Sequence, residues 1–154
     1  MHQPMEIKRV LENKAEYREL LLIADPEWES VLRYLDGDMS VAFIGGVPAA
    51  AIIVCIQNGM PEIMNIATYP QFRRRGLARK LIAYVKEQYA PKYDTMSVGT
   101  CTISYDAIAF YKSCGFAPTH IIKNFFIDNY NAPIYEDNGM QCVDMLYLTT
   151  PLET

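Results

Sequence analysis

EIMNIATYPQFRRRGLARKLIAYVKEQY, residues 62–89, changes character partway along. The run 62–69 reads as a strand, and Pro70 ends it. Beyond it, Leu77, Leu81, Ile82, Val85 and Tyr89 recur at helical spacing and define a helix with one apolar stripe. Between the two stand Arg73, Arg74 and Arg75, followed at once by Gly76. Cations at a helix N-terminus face the positive end of the macrodipole, which is mildly unfavourable. A bound anion would relieve that, because free N–H groups and the dipole make a helix start an anion site. Gly76, lacking a Cβ, lets a phosphate come close to the backbone, Ala78 keeps the next turn small, and Leu77 points into the core. A solvated basic surface and a nucleic-acid patch are the competing readings of the same residues. Neither known phosphate loop is present: there is no G-K-[ST] and no G-x-G-x-x-G.

Working outward, MEIKRVL (5–11) alternates and predicts a first strand. NKAEYRELLLIA (13–24) has helical spacing. DPEWESVLRYL (25–35) predicts a second helix with Asp25 as N-cap and Pro26 in the first position. SVAFIGGVPAAAIIVCIQNG (40–59) predicts two strands about a Gly-Gly turn, closed by Asn-Gly. Downstream come a strand at TMSVGTCT (95–102) and a helix at YDAIAFYKSC (105–114), stopped by Gly115. Two late strands, around 119–127 and 140–148, flank a loop containing NYNAPIYEDNG. The order predicts one mixed α/β domain over 1–154, with about seven strands and about four helices.

A hydrophobic content of 51% with 21% charged residues is that of a globular chain. The formal net charge of -4 argues against a dedicated nucleic-acid binder and leaves room for a cationic small molecule or basic peptide. Cys55, Cys101, Cys114 and Cys142 form no C-x-x-C pair and have no histidine at ligand spacing, so neither a zinc site nor a disulfide framework is expected. MHQPMEIKRV lacks a signal-peptide apolar core, which makes the cytoplasm the expected location. The most apolar run, VPAAAIIVCI (47–56), is too short for a bilayer and reads as a buried strand.

In ISYDAIAFYKSCGF (103–116), Tyr111 taken by itself is a core aromatic sharing a helix face with Ala107, Phe110 and Cys114. Together with the arginine stretch it carries a resemblance. Arg73-x-x-Gly76-x-Ala78 and AIAFYKSCGF resemble the two motifs of GNAT-superfamily N-acetyltransferases, R/Q-x-x-G-x-G/A and an A-x-x-x-Y helix ending in Gly-Phe. The likeness runs from Met5 to Leu148, and FFIDNY…PIYE…GMQCVDM looks like a group of small stand-alone bacterial members.

The resemblance implies a mixed sheet whose central parallel strands, 62–69 and 95–102, splay into a V that holds acetyl-CoA. It implies a pyrophosphate on the amides of Arg74, Arg75, Gly76, Leu77, Ala78 and Arg79, with Arg73 opening the motif. Backbone groups at Ile66, Ala67 and Thr68 would pair with the pantetheine arm like an added strand, one amide polarising the thioester carbonyl. Tyr111 falls where the family places the tyrosine that protonates the departing thiolate. Glu62 resembles the general base of the histone-acetylating branch; a solvent-exposed strand-end charge is the other reading, with water relaying the proton. Ser104 stands where many members carry Asn, implying an altered cofactor or helix-start contact, and SVGT (97–100) offers no glutamate.

The reaction so implied is acetyl transfer from acetyl-CoA to a primary amine by direct attack in a ternary complex, without metal or covalent enzyme intermediate. Asp25, Glu27, Trp28, Glu29 and Tyr34 are candidates for lining a cationic amine site, though ordinary helix capping and a solvated face explain them more simply; Tyr135, Glu136 and Asp144 are a second set. No nucleic acid or membrane partner is expected. The protein would be a monomer or homodimer, the last strand being free to pair between protomers. The rival reading is a non-catalytic acyl-CoA-binding module in which Tyr111 is structural.

Overall fold

The computed structural model describes residues 3–153. The chain opens with β1 (Met5–Val10), a 3-10 turn at Lys14–Tyr17, α1 (Arg18–Ala24) and α2 (Trp28–Leu32). The strands β2 (Asp38–Ile44), β3 (Val47–Gln57) and β4 (Met60–Thr68) follow as a meander. Then come α3 (Leu77–Tyr89), β5 (Thr95–Cys101), α4 (Tyr105–Ser113) and β6 (Ala117–Ile122). The C-terminal part holds α5 (Phe125–Asn129), β7 (Ile134–Tyr135), β8 (Gln141–Cys142) and β9 (Met145–Pro151).

Seven strands form one sheet in the order β1-β2-β3-β4-β5-β9-β6, and β7 and β8 make a separate hairpin. Helices cover both faces. Leu77, Leu81, Ile82 and Val85 of α3 pack with Ala50, Ile52 and Val54 of β3. On the other face Leu20 and Leu21 of α1, Val31 of α2 and Tyr34 just after it pack on Ala51 and Ile53. A strand sandwiched in this way is apolar on successive residues, which is why VPAAAIIVCI shows no alternation.

The one parallel pair in the sheet, β4 with β5, is hydrogen-bonded only at Glu62↔Ser97 and Ile63↔Val98. At that same point the β3–β4 register slips: Ile53 faces Asn65 while Val54 faces Ile63, leaving Met64 as an extra residue. A bulge of this kind bends its strand. Beyond it β4 continues to Thr68 beside β3 but no longer beside β5. The expected V between the strands thus has a local cause, a single bulged residue.

Five expectations are corrected. The helix expected over 13–24 begins as a 3-10 turn and becomes α-helical only at Arg18. The helix expected over 25–35 is shortened to α2, with Glu27 rather than Asp25 in the N-cap position. Residues 119–127 are not one strand. Asn124 turns the chain at φ 59°, and its carbonyl accepts from the amides of Ile127 and Asp128, starting α5. The run 140–148 breaks between β8 and β9, where the Val143 carbonyl accepts from Phe126 N–H. The last strand, β9, lies between β5 and β6 and not at an edge. Among the described residues no helix is long and apolar enough to cross a membrane.

Candidate active site

The turn between β4 and α3 leaves an unusual number of backbone donors free. Arg74 and Gly76 both adopt positive φ, 65° and 75°. The first helical bond of α3 is Lys80 N–H to Gly76 O. Among the described residues, none of the amides from Arg74 to Arg79 donates to a backbone carbonyl. Successive N–H groups around left-handed residues form a concave nest, and the helix start adds its dipole. Gly76 lines the adjoining cleft, and a Cβ built on it would meet nothing within 4 Å. Its glycine is therefore demanded by φ and by the open face, not by neighbouring protein.

That cleft, about 490 Å³, is lined by Ile66, Ala67 and Thr68 of β4, by Arg73, Arg74 and Gly76 of the turn, and by Leu77, Ala78 and Arg79 of α3. Ala24 and Phe110 close its sides. Nine of the eleven residues expected to hold the cofactor thus line one cavity. The Arg75 guanidinium is turned onto the Phe72 ring, 5.2 Å from its centroid. Arg79 ties α3 to α4, donating to Ser113 O at 3.2 Å and Oγ at 2.7 Å. Arg73 and Arg74 make no ion pair among the described residues, whose two salt bridges are Lys8–Glu6 and Arg9–Asp38.

Ser104 stands apart. Its hydroxyl donates to Glu136 Oε1, and both residues line a different cavity beside Tyr105 and Asp106. Glu136 also brings Cys101 and Cys142 together: the three donor atoms lie within 4.8 Å of one another, although their sequence spacing announces no cluster. Burial, and then the Cys101 neighbour, push the Cys142 thiol well up.

Tyr111 is 8% exposed, its ring 5.5 Å from Phe110 and 5.8 Å from Phe116, centroid to centroid. Burial pushes its phenol up to about 12.

A second cavity, about 260 Å³, lies on the other side of Asn65 along β4 and is lined there by Glu62, Ile63 and Met64. Asp25, next to Ala24 of the first cleft, forms part of its wall, with Tyr34, Phe125, Tyr130, Met145 and Tyr147. Gly99 of β5 leaves room for the last two: a Cβ there would stand 3.1 Å from the Tyr147 ring. Glu62 is half-buried, and burial raises its carboxyl above the usual range while the Tyr147 hydroxyl, 3.5 Å away, opposes the rise. Tyr147 itself is pushed up to about 12 by burial and then by Glu62.

Asp25 is nearly buried, and its carboxylate accepts from three hydroxyls: Ser30 at 2.8 Å, Tyr34 at 2.7 Å and Tyr130 at 3.0 Å. Asn65 supports this network from β4, its amide donating to Tyr34 Oη and to Leu21 O, each at 3.0 Å. Of the five residues proposed from 25–34, only Asp25 and Tyr34 line the cavity. Trp28 lies under the Arg18 guanidinium at 4.8 Å, and Glu27 and Glu29 bind the segment 131–132. Tyr135, Glu136 and Asp144 are outside the lining. Asn65, Tyr130 and Tyr147 escaped the sequence reading because nothing local distinguishes them from packing residues.

The Acetyltransferase (GNAT) domain family matches residues 34–118. An uncharacterised N-acetyltransferase of Bacillus subtilis, YvbK, is 33% identical over 150 residues, covering 95% of this chain and 96% of its own. A GNAT family acetyltransferase from Elizabethkingia anophelis, solved with acetyl-CoA bound, superimposes with a TM-score of 0.90 at 32% identity, over 96% of this chain and 98% of its own. A Bacillus subtilis acetyltransferase in complex with CoA gives 0.86 at 30% identity, over 97% and 99%. The chain belongs to the GNAT acetyltransferase family.

Proposed function

We propose that this protein transfers the acetyl group of acetyl-CoA to a primary amine by direct attack, with both substrates bound at once. The observation that carries the proposal is that one strand, β4, lines two cavities, one beside a nest of free amides and the other holding a half-buried carboxylate. Acetyl-CoA supplies an activated thioester.

The chain's own residues divide the remaining work. The amides of Arg74 to Arg79 receive the diphosphate, and the unpaired guanidinium groups of Arg73 and Arg74 balance its charge. Beyond the bulge, the β5-facing edge of Ile66, Ala67 and Thr68 is free to pair with an extended arm. Glu62, raised by burial and by its apolar surroundings, accepts the proton that the amine loses. Tyr111 keeps its proton at neutral pH. With its phenol raised to about 12 by burial, it is the proton or hydrogen-bond donor to the departing thiolate.

Calorimetric titration with acetyl-CoA, beside a Gly76→Glu variant, tests the donor half. Micromolar binding that the variant loses supports the reading; no binding by folded native protein overturns it. Release of free thiol in the presence of an amine tests the transfer.

A further inference from the structure

The second cavity is roofed, and the roof bears on what can enter. Residues 125–132, the short helix α5 and the turn after it, cross from the C-terminal half of the chain onto α2. The Glu27 carboxylate accepts from the amides of Asn131 at 3.0 Å and Ala132 at 3.1 Å, and Asn131 Nδ2 reaches Glu29 Oε2 at 2.9 Å. Tyr130 reaches Asp25 and Ser30, and the Arg33 guanidinium meets the Asn129 carbonyl at 3.5 Å. One carboxylate accepting from two successive backbone amides fixes the position of the strap on α2.

The space beneath is small and mixed in character. A dry cavity of about 150 Å³ takes a benzene ring. At about 260 Å³ this one has room for a ring and roughly five more atoms. Its walls are tyrosines, Phe125, Met64 and Met145, with Ile63 at the side. Its charged groups are two carboxylates, Asp25 and Glu62, against the single cation Arg33 at the mouth. Such a lining favours a monocation on an apolar stem, since aromatic faces and carboxylates both attract an ammonium group.

Granting the transferase reading above, we infer that the acceptor is a compact primary amine on an apolar, ring-sized stem. The strap 125–132 excludes amines carried on a polypeptide. A peptide laid across the cleft would need to displace the strap from Glu27, Glu29 and Asp25, exchanging intramolecular bonds for new ones of the same kind. A small amine needs no such exchange.

The test compares phenethylamine and hexylamine with a pentapeptide bearing a free α-amino group and a capped lysine peptide. Acetyl transfer is followed by thiol release and product mass, and binding to the CoA-saturated full chain by calorimetry. The inference predicts a kcat/KM at least a hundredfold higher for the small amines. It also predicts that a Glu27→Ala, Asn131→Ala double variant, with the strap untied, narrows this preference at least tenfold by raising the kcat/KM of the peptides. A peptide turned over as fast as phenethylamine overturns the inference and leaves the transferase reading standing. Small amines bound but never acetylated overturn the transferase reading and leave the pocket's ligand class standing. Neither class bound nor acetylated overturns the inference, and an unchanged preference in the double variant overturns the part assigned to the strap.

Discussion

Gly76 offers a perturbation in which stability and ligand affinity should move in different orders. Its φ of 75° is in the left-handed region, which costs an ordinary L-residue roughly 1–2 kcal/mol. A Cβ placed there meets no protein atom within 4 Å, so backbone conformation is the whole of the expected loss. For a chain of this length that corresponds to a fall in Tm of about 2–8 °C for Gly76→Ala. Asparagine tolerates left-handed backbone better than alanine, so Gly76→Asn should melt between the two. The side chain, however, projects from a residue lining the cleft beside the amide nest. The methyl of alanine intrudes a little and the carboxamide of asparagine much more. Affinity for CoA should therefore fall in the order Gly, Ala, Asn, with Asn weakened at least tenfold, or about 1.4 kcal/mol. Stability should fall in the order Gly, Asn, Ala. Differential scanning calorimetry gives one ranking and isothermal titration the other. Two identical rankings would refute the reasoning, because the glycine would then act through the fold alone.

Tyr111→Phe should lower kcat by about tenfold or more while leaving the Kd of acetyl-CoA within twofold, as a stopped thiol assay and titration would register. The native hydroxyl makes no hydrogen bond within the described residues, so Tm should barely change; a large fall in Tm would return Tyr111 to a purely structural role. Glu62 has its carboxyl raised by burial, so the ionised, proton-accepting form is lost as pH falls through that raised value. The acid limb of the kcat/KM profile should accordingly disappear in Glu62→Gln together with most of the activity. The same raised value means that the native fold disfavours the ionised carboxylate, a loss of stability that sets in as pH rises through the range between the unfolded and folded values. Glu62→Gln should thus melt no lower than the native protein at neutral pH, and any advantage should vanish in acid. Asp25→Ala strands the hydroxyls of Ser30, Tyr34 and Tyr130 and should cost about 2–4 kcal/mol in urea unfolding, whereas loss of one exposed carboxylate would cost far less.

The arginine turn and α3 were legible because their information is local. A proline ends the strand, Gly76 accommodates the left-handed turn, and Leu77, Leu81, Ile82 and Val85 mark one helix face within a few turns of chain. β3 was legible for a related reason, since burial on both faces leaves only apolar residues to choose from. The segment 123–144 was not. NFFI has the β-favouring residues of a strand, yet Asn124 and the partners supplied by Val143 and Asp144 wind it into α5.

The sequence by itself determined the class of fold, the position of the arginine turn and the two motifs of the family, because each depends on neighbours within a few residues. Only the tertiary structure decided the second cavity. Asp25, Glu62, Gly99, Phe125 and Tyr147 come from five separate elements or their ends and meet because a bulge at Met64 parts β4 from β5. The strap over it depends likewise on Glu27 and Asn131, 104 residues apart, whose hydrogen bonds no local pattern in the chain announces.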